Sequence, residues 1–270
     1  MNGTLLADAD ARISVFDHGL TVGDGVFETV KISGGVPFAL TRHLARLRAS
    51  AAGLGLPEPD LDRLRAGVAA LLDAAARPAR ALIRITLTGG ESPLSSVRGD
   101  APVTVIMALG EWPAISAGCD VVLVPWPRNE RGALAGLKTT SYAENVLALG
   151  YARERGGSEA IFANTAGSLC EGTGTSVFVV SGGRLLTPPL SSGCLAGVTR
   201  GLLLEWAGAI EEDLPAGALA AAPEAFLTST TRDVQPIRAV GGQPLPAAPG
   251  PVTRRAAEIF AAMSAAQSDP

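Results

Sequence analysis

The sequence predicts two domains of mixed α/β (α+β) type. Three observations carry this. At 270 residues the chain is long for one domain and suits two modest ones. Strand-like and helix-like segments alternate, but without the β-α-β period of a single doubly wound sheet. A stretch with Gly, Pro and Ser and no hydrophobic period, GEWPAISAG at 110–118, separates them. The expected layout is one domain over 1–110, a linker over 111–118 and a second domain over 119–270.

Taken in order, ARISVFD (11–17) and GVFETVKI (25–32) read as strands. A Ser33-Gly34-Gly35 turn leads from the second into VPFAL and predicts a hairpin. Thr41 can cap the helix TRHLARLRASAAGL, whose Leu44, Leu47, Ala51 and Leu54 share one face. Gly55 and Pro57 stop it. Asp60 caps a second helix with Leu61, Leu64, Val68 and Leu71 inward. RALIRITLT and PVTVIMAL are strong strands joined by the loop GGESPLSSVRGD. Beyond the linker, the strand CDVVLV runs into PWPRNERGALAGLKTT. Ser141 and Glu144 then form an S-x-x-E capping box before YAENVLALGYARER. Strands EAIFA, TSVFVV and RLLTP follow, the last two joined at Ser181-Gly182-Gly183. A helix starts near Val198, strands AFLTS and DVQPIRAV come next, and a last helix begins near Pro251.

Composition excludes several classes of function. Hydrophobic residues make up 47% and charged residues 18%, which suits a folded core and argues against disorder. The net charge of −4 gives no broad face for nucleic acid. No apolar run reaches membrane-spanning length, and the N-terminus carries acids instead of the basic start of a signal peptide. Cys119, Cys170 and Cys194 are too few and too scattered for a disulfide framework, and suit free thiols in a reducing cytoplasm. Only two histidines, His18 and His43, are present. That speaks against a histidine metal site and against a Ser-His-Asp triad.

The chain holds 22 basic residues, of which only Lys31 and Lys138 are lysines. Where arginine serves, this sequence uses arginine. Lys138 stands in an apolar run, GALAGLKTTSYAENV, and an amine can do what a guanidinium cannot: lose its proton near neutral pH and form an imine. Lys138 is therefore expected to be a Schiff-base lysine, whereas Lys31, at the end of a strand, reads as ordinary surface. Such a lysine holds either a carbonyl substrate or pyridoxal phosphate. The second needs a phosphate cup and a partner for the pyridine nitrogen. Gly197-Val198-Thr199-Arg200 opens a helix after a glycine-rich loop, where backbone N–H groups favour an anion. Ser229, Thr230 and Thr231 place three hydroxyls at a strand end, and Arg46 lies on the inward side of its helix. Glu171, in LCEGTGTSVFVV, is a carboxylate able to keep a pyridine nitrogen protonated, or else a solvated turn residue.

The ordered set FDHGLTVGDGVFETV, RHLARLRASA, LAGLKTTSYAENV, NTAGSLCEGTGTSVFVV, LAGVTRG and TSTTRDVQPI resembles the fold-type IV pyridoxal-phosphate enzymes. These are the class IV aminotransferases and aminodeoxychorismate lyases. The resemblance spans about residues 10–240. It implies a smaller N-terminal domain, a larger C-terminal domain carrying the lysine, a cofactor between them, and a homodimer that completes the site. It also implies roles: Lys138 on the cofactor aldehyde, Arg46 on the phosphate, Glu171 on the pyridine nitrogen, and Tyr142 at the ring's phenolic oxygen. The amides of Val198 and Thr199 with the hydroxyls of Thr230 and Thr231 would complete the phosphate cup. Ser176 stands where the family often has Asn, and Leu20-Thr21-Val22 where many members carry Tyr.

Within the family, TVGDGVFET is similar to the lyases and D-amino acid aminotransferases, and PRNERGALAGLK resembles the lyases' RN…LAG-K. The loop GGESPLSSVRGD lacks the R-x-H pair of the D-amino acid enzymes. The resemblance thus favours 4-amino-4-deoxychorismate lyase, which makes 4-aminobenzoate and pyruvate. A branched-chain or D-amino acid aminotransferase is the alternative, towards which Glu28 leans. A family member retired to a scaffold role is a third. Arg98, Arg128 and Arg131 are candidates for the substrate carboxylates.

Overall fold

A computed structural model describes residues 1–270. It divides into two compact units: one of Met1–Pro113, Leu137–Tyr142 and Ser268–Pro270, the other of Ala114–Gly136 and Ala143–Gln267. The segment with Lys138, expected in the C-terminal domain, therefore packs as part of the N-terminal unit. The cause is backbone pairing: Phe27 N–H donates to Lys138 C=O (3.0 Å), and Thr140 N–H donates to Gly25 C=O (2.8 Å).

The N-terminal unit is a four-stranded antiparallel sheet with two helices on one face. Its helices are α1 (His18–Thr21), α2 (Leu40–Gly53) and α3 (Leu61–Ala74). Its strands are β1 (Gly25–Ser33), β2 (Val36–Pro37), β3 (Arg80–Thr88) and β4 (Thr104–Gly110), in the order β2-β1-β3-β4. Alternation along β1 sends Val26, Val30 and Ile32 into a core with Leu44 and Leu47 of α2 and Leu64 and Val68 of α3. Asp60 caps α3 as expected, accepting from Arg63 N–H. Thr41 does not cap α2: the helix starts at Leu40, after Ala39 in a left-handed conformation, and Asp269 accepts from the Thr41 N–H. Residues 11–17 form no strand, since nothing in the sheet pairs with them. Lys31 is buried, its amine 4.7 Å from the Phe38 ring centroid and 5.5 Å from that of Trp112, so the surface reading fails.

The second unit is built on a nine-stranded mixed sheet. Its strands are β5 (Cys119–Leu123), β6 (Glu159–Ala163), β7 (Leu169–Gly172), β8 (Ser176–Ser181), β9 (Arg184–Thr187), β10 (Ile210–Glu211), β11 (Ala225–Ser229), β12 (Asp233–Val240) and β13 (Gln243–Pro244). The order is β10-β9-β8-β11-β12-β5-β6-β7, with β13 beside β12. The helices are α4 (Ala143–Glu154), α5 (Val198–Trp206), α6 (Ala218–Ala221) and α7 (Pro251–Ala266). One apolar layer joins Val177, Val179, Leu227 and Ile237, and a smaller one packs Ala148 and Ala152 of α4 on Phe162. The expected capping box of α4 does not form. Ser141 donates to Gly23 C=O instead, and Glu144 pairs with Arg128. β7 was not expected as a strand; it pairs with β6 and holds Glu171 within the ladder, opposite Phe162. All three cysteines are free and buried.

Candidate active site

In the N-terminal unit, β1 and the Lys138 segment pair directly. Val26 and Thr139 form an antiparallel bridge, and Lys138 N–H donates to Ser50 Oγ at 3.1 Å. This sets the Lys138 side chain beside Phe27, its amine 4.2 Å from the ring centroid and 3.5 Å from the Tyr142 hydroxyl. Phe27 and Tyr142 meet edge to face at 5.2 Å. Arg84 lies over the same Phe27 ring at 3.5 Å. Gly25 permits this close approach: a Cβ there would stand 2.8 Å from Leu87 C=O and 3.0 Å from Thr140 Oγ1.

Glu28 points to the helix side of β1 and is fully buried. Arg46 holds it through two nitrogens (2.7 and 2.8 Å), and His43 Nδ1 lies 2.7 Å away. Burial alone would raise the carboxyl's pKa; the Arg46 charge and the hydrogen bonds from Arg46 and His43 outweigh it and hold it at about 2. Burial also lowers the pKa of His43, against the pull of Glu28, so a neutral imidazole donates to the carboxylate. Arg46, expected on a phosphate, thus already meets a carboxylate. Neither Glu28 nor Phe27 was singled out as a site residue in the sequence. The usable signal was the alternation of β1, which sends them to opposite faces.

In the second unit, Glu171 accepts from Leu195 N–H at 2.9 Å through Oε2, and its Oε1 lies 3.3 Å from Arg128 Nε. It is half-buried in β7 and not a solvated turn residue. Thr230 and Thr231 occupy the β11–β12 turn, where Thr231 Oγ1 and Ser229 Oγ lie 3.2 Å apart. Val198 and Thr199 are buried at the start of α5, whose N-cap Gly197 offers no side chain to the free amides. A Cβ on Gly197 would come within 2.7 Å of Ser176 Oγ. Of the three arginines considered for substrate, Arg98 is paired with Asp24 through two nitrogens and Arg128 lies against Glu171, while Arg131 is exposed.

A profile of the family described as Amino-transferase class IV matches residues 25–240, most of the chain. The chain belongs to the class IV aminotransferases. A putative branched-chain-amino-acid aminotransferase of Methanocaldococcus jannaschii is 31% identical over 252 residues, covering 90% of this chain and 88% of that one. A D-alanine aminotransferase of Bacillus licheniformis is 29% identical over 94% of this chain and 92% of its own. A bifunctional aminodeoxychorismate lyase / D-amino acid transaminase of Mycobacterium tuberculosis is 30% identical over 97% and 95%. Among solved structures, a branched-chain aminotransferase from Thermoproteus uzoniensis with norvaline superposes with a TM-score of 0.91. It is 29% identical, over 96% of this chain and 92% of that one. A hypothetical aminotransferase from M. tuberculosis in its PLP-bound form gives 0.86 at 28% identity, over 95% and 94%.

Class IV aminotransferases depend on pyridoxal phosphate, and each unit of this chain carries groups that suit a part of it. The Lys138 amine lies beside an aromatic ring and a phenol. The buried Thr228 hydroxyl, next to the Ser229–Thr231 hydroxyls, has no hydrogen-bond partner, and the first α5 amides follow a glycine N-cap with no side chain to bond them.

Proposed function

We propose that this enzyme moves amino groups between an amino acid and a 2-oxo acid, with Lys138 as the covalent anchor and proton carrier. The carrying observation is the Lys138 amine held 4.2 Å from the Phe27 ring centroid and 3.5 Å from the Tyr142 hydroxyl. Glu171 is taken as the partner of the pyridine nitrogen. Arg46, the amides of Val198 and Thr199, and the hydroxyls of Thr230 and Thr231 are taken as phosphate ligands, and Tyr142 as the residue at the phenolic oxygen.

Pyridoxal phosphate, when bound, acts as a sink for the electrons left when the substrate's amine-bearing carbon loses a proton. The protein's part is positional. Lys138 Nζ takes that proton and returns it, which needs a neutral amine; the Phe27 ring shields it from water on one side. The Tyr142 hydroxyl fixes the amine's rest position. Glu171 keeps a proton on the pyridine nitrogen because it is itself anchored by Leu195 N–H. Amino transfer as the outcome is supported by the aminotransferases among its relatives and by Glu28, where the sequence resembles that group.

The lyase reaction is the second reading. The VGDG and RN…LAG-K stretches and the bifunctional relative from M. tuberculosis favour it. Incubation with aminodeoxychorismate, and separately with D-alanine or L-leucine plus 2-oxoglutarate, separates them. Glutamate in the second mixture is expected. 4-Aminobenzoate and pyruvate in the first, with no glutamate in the second, would replace amino transfer by the lyase reaction. In Lys138→Arg the fold is expected to persist, while turnover and the visible band of covalently held cofactor are both lost; retained turnover refutes the assignment.

A homodimer is part of the proposal. Val15, Phe16, Leu20 and Val22 are exposed on and around α1, and Leu94 and Val97 on a loop tied to that segment by the Ser92 N–H to Phe16 C=O hydrogen bond. Apolar exposure of this kind suits burial against a second copy. Sedimentation is expected to give twice the chain mass. Cytoplasmic placement is proposed on the three free thiols, and no helix is long and apolar enough to cross a membrane.

A further inference from the structure

We propose that Arg128 is a positioning residue for Glu171, keeping that carboxylate ionised and aimed, and that it takes no part in gripping the substrate carboxylate. The inference rests on the proposed role of Glu171 at the pyridine nitrogen and deepens it.

Every nitrogen of the Arg128 guanidinium is engaged within its own unit. One terminal nitrogen meets Glu144, and the other donates to Asn145 Oδ1 at 2.8 Å. Nε, fully buried and with no hydrogen-bond acceptor, faces Glu171 Oε1 at 3.3 Å, an ion contact. The guanidinium plane rests on Phe162, 4.0 Å from the ring centroid. Asn145 is itself fixed, since its Nδ2 donates to Thr173 C=O at 2.8 Å. Arg128 N–H donates to Ala163 C=O at 2.7 Å, so the backbone is tied to the end of β6, the strand that pairs with β7.

A substrate clamp needs a guanidinium with donors to offer. Each of this one's three nitrogens already faces a partner, Glu144, Asn145 or Glu171. A carboxylate that holds a proton on a ring nitrogen has the opposite need: it must stay anionic while half-buried, where desolvation favours its neutral form. It must also point one oxygen at the ring. Leu195 N–H holds Oε2 and Arg128 guards Oε1, so the carboxylate plane is set before any cofactor arrives. Glu144 and Asn145, from the first turn of α4, fix Arg128 in turn. The start of α4, only six and seven residues beyond Lys138, is thus linked to the electron sink through one arginine.

Arg128→Gln and Arg128→Lys, prepared as holoenzymes, test this. The readouts are the pH dependence of the bound cofactor's visible band, which reports ring protonation apart from turnover, and the split between kcat and KM for the amino donor. In Arg128→Gln the acid limb of the band is expected to move up by about 1–3 pH units, the span an opposite charge at this range commands. kcat should fall at least tenfold while KM changes less than about twofold. Arg128→Lys keeps the charge without the fork, and a smaller move of the limb in the same direction is expected. Asn145→Ala, which leaves Arg128 in place but frees one anchor, should move it the same way and covers the case of a misfolded Arg128 variant. A KM raised tenfold or more with an unmoved acid limb would make Arg128 a substrate clamp and overturn the inference alone. A wild-type band that survives in Lys138→Arg would overturn the reading of the site, and this inference with it.

Discussion

Glu28 illustrates how a single charged residue can carry structure in the core. A carboxylate with no exposed surface is tolerated only if it is paired, and here Arg46 takes both oxygens and His43 one of them. Glu28→Gln keeps the shape and removes the charge, leaving a guanidinium with half its partner gone. The expected loss is about 3–5 kcal/mol, read from the urea midpoint, the cost of breaking a buried pair from one side. A loss below about 1 kcal/mol would mean the pair is not formed in solution. None of this network could be read along the chain, because 15 and 18 residues separate Glu28 from its partners. Scarcity alone, by contrast, is enough to mark Lys138 as a candidate along the chain. Arg46 was legible as an inward arginine, but not as one that already meets a carboxylate.

At the level of elements, β1 and the 137–142 segment decide whether the amine is in place. They are joined by a short antiparallel contact at Val26 and Thr139, and Gly25 sits between Leu87 of β3 and Thr140 of that segment. Alanine there would press on Leu87 C=O, a backbone atom that cannot swing aside. Gly25→Ala should therefore shift Lys138 off Phe27 and cut kcat by about tenfold to a hundredfold, as sub-ångström misplacement of reacting groups does. Melting should change by only a few degrees. Unchanged kcat would show that the pairing does not position the amine. The strands and helices themselves were largely legible. Apolar alternation marks β3, β4, β8 and β12, and Asp60 marks the start of α3, because these signals are local. The failures share one physical cause. Residues 11–17 alternate but meet the loop after β3 through Phe16, Asp17, Glu91 and Ser92 instead of joining the sheet, Thr41 yields its capping role to Asp269, and Ser141 turns to Gly23 instead of closing a capping box. In each case a distant backbone or carboxylate outbid the local pattern.

For the whole molecule, both histidines fall in the N-terminal unit, so its stability should follow pH through two groups of opposite sign. His18 is buried with both ring nitrogens facing acceptors: Nδ1 is 2.8 Å from Asp24 Oδ2 and Nε2 is 2.8 Å from Ser95 C=O. A neutral ring can donate only once, so this geometry calls for the imidazolium. The Asp24 hydrogen bond, followed by the Ser95 carbonyl, raises its pKa above the ordinary 6.5. A raised folded value means stability that is complete below pH 6.5 and lost as pH climbs through the folded pKa. His43 and Glu28 work the other way. Their folded values lie below the ordinary 6.5 and 4.5, so what they add is present above those values and lost on acidification, for Glu28 between pH 4.5 and about 2. Stability should therefore fall on both sides of a maximum near pH 6–7, with the alkaline flank owed to His18. Proton NMR can check this, because only two imidazole signals exist. The His18 resonance should titrate above 6.5 and that of His43 below it. His18→Gln should flatten the melting temperature on the alkaline side of pH 6.5 and loosen the Ser92–Gly99 loop, seen as faster amide exchange at Gly99 and Val97. A His18 signal that titrates at or below 6.5 would remove the doubly bonded imidazolium from the account, and an unflattened alkaline flank would place the titrating group elsewhere.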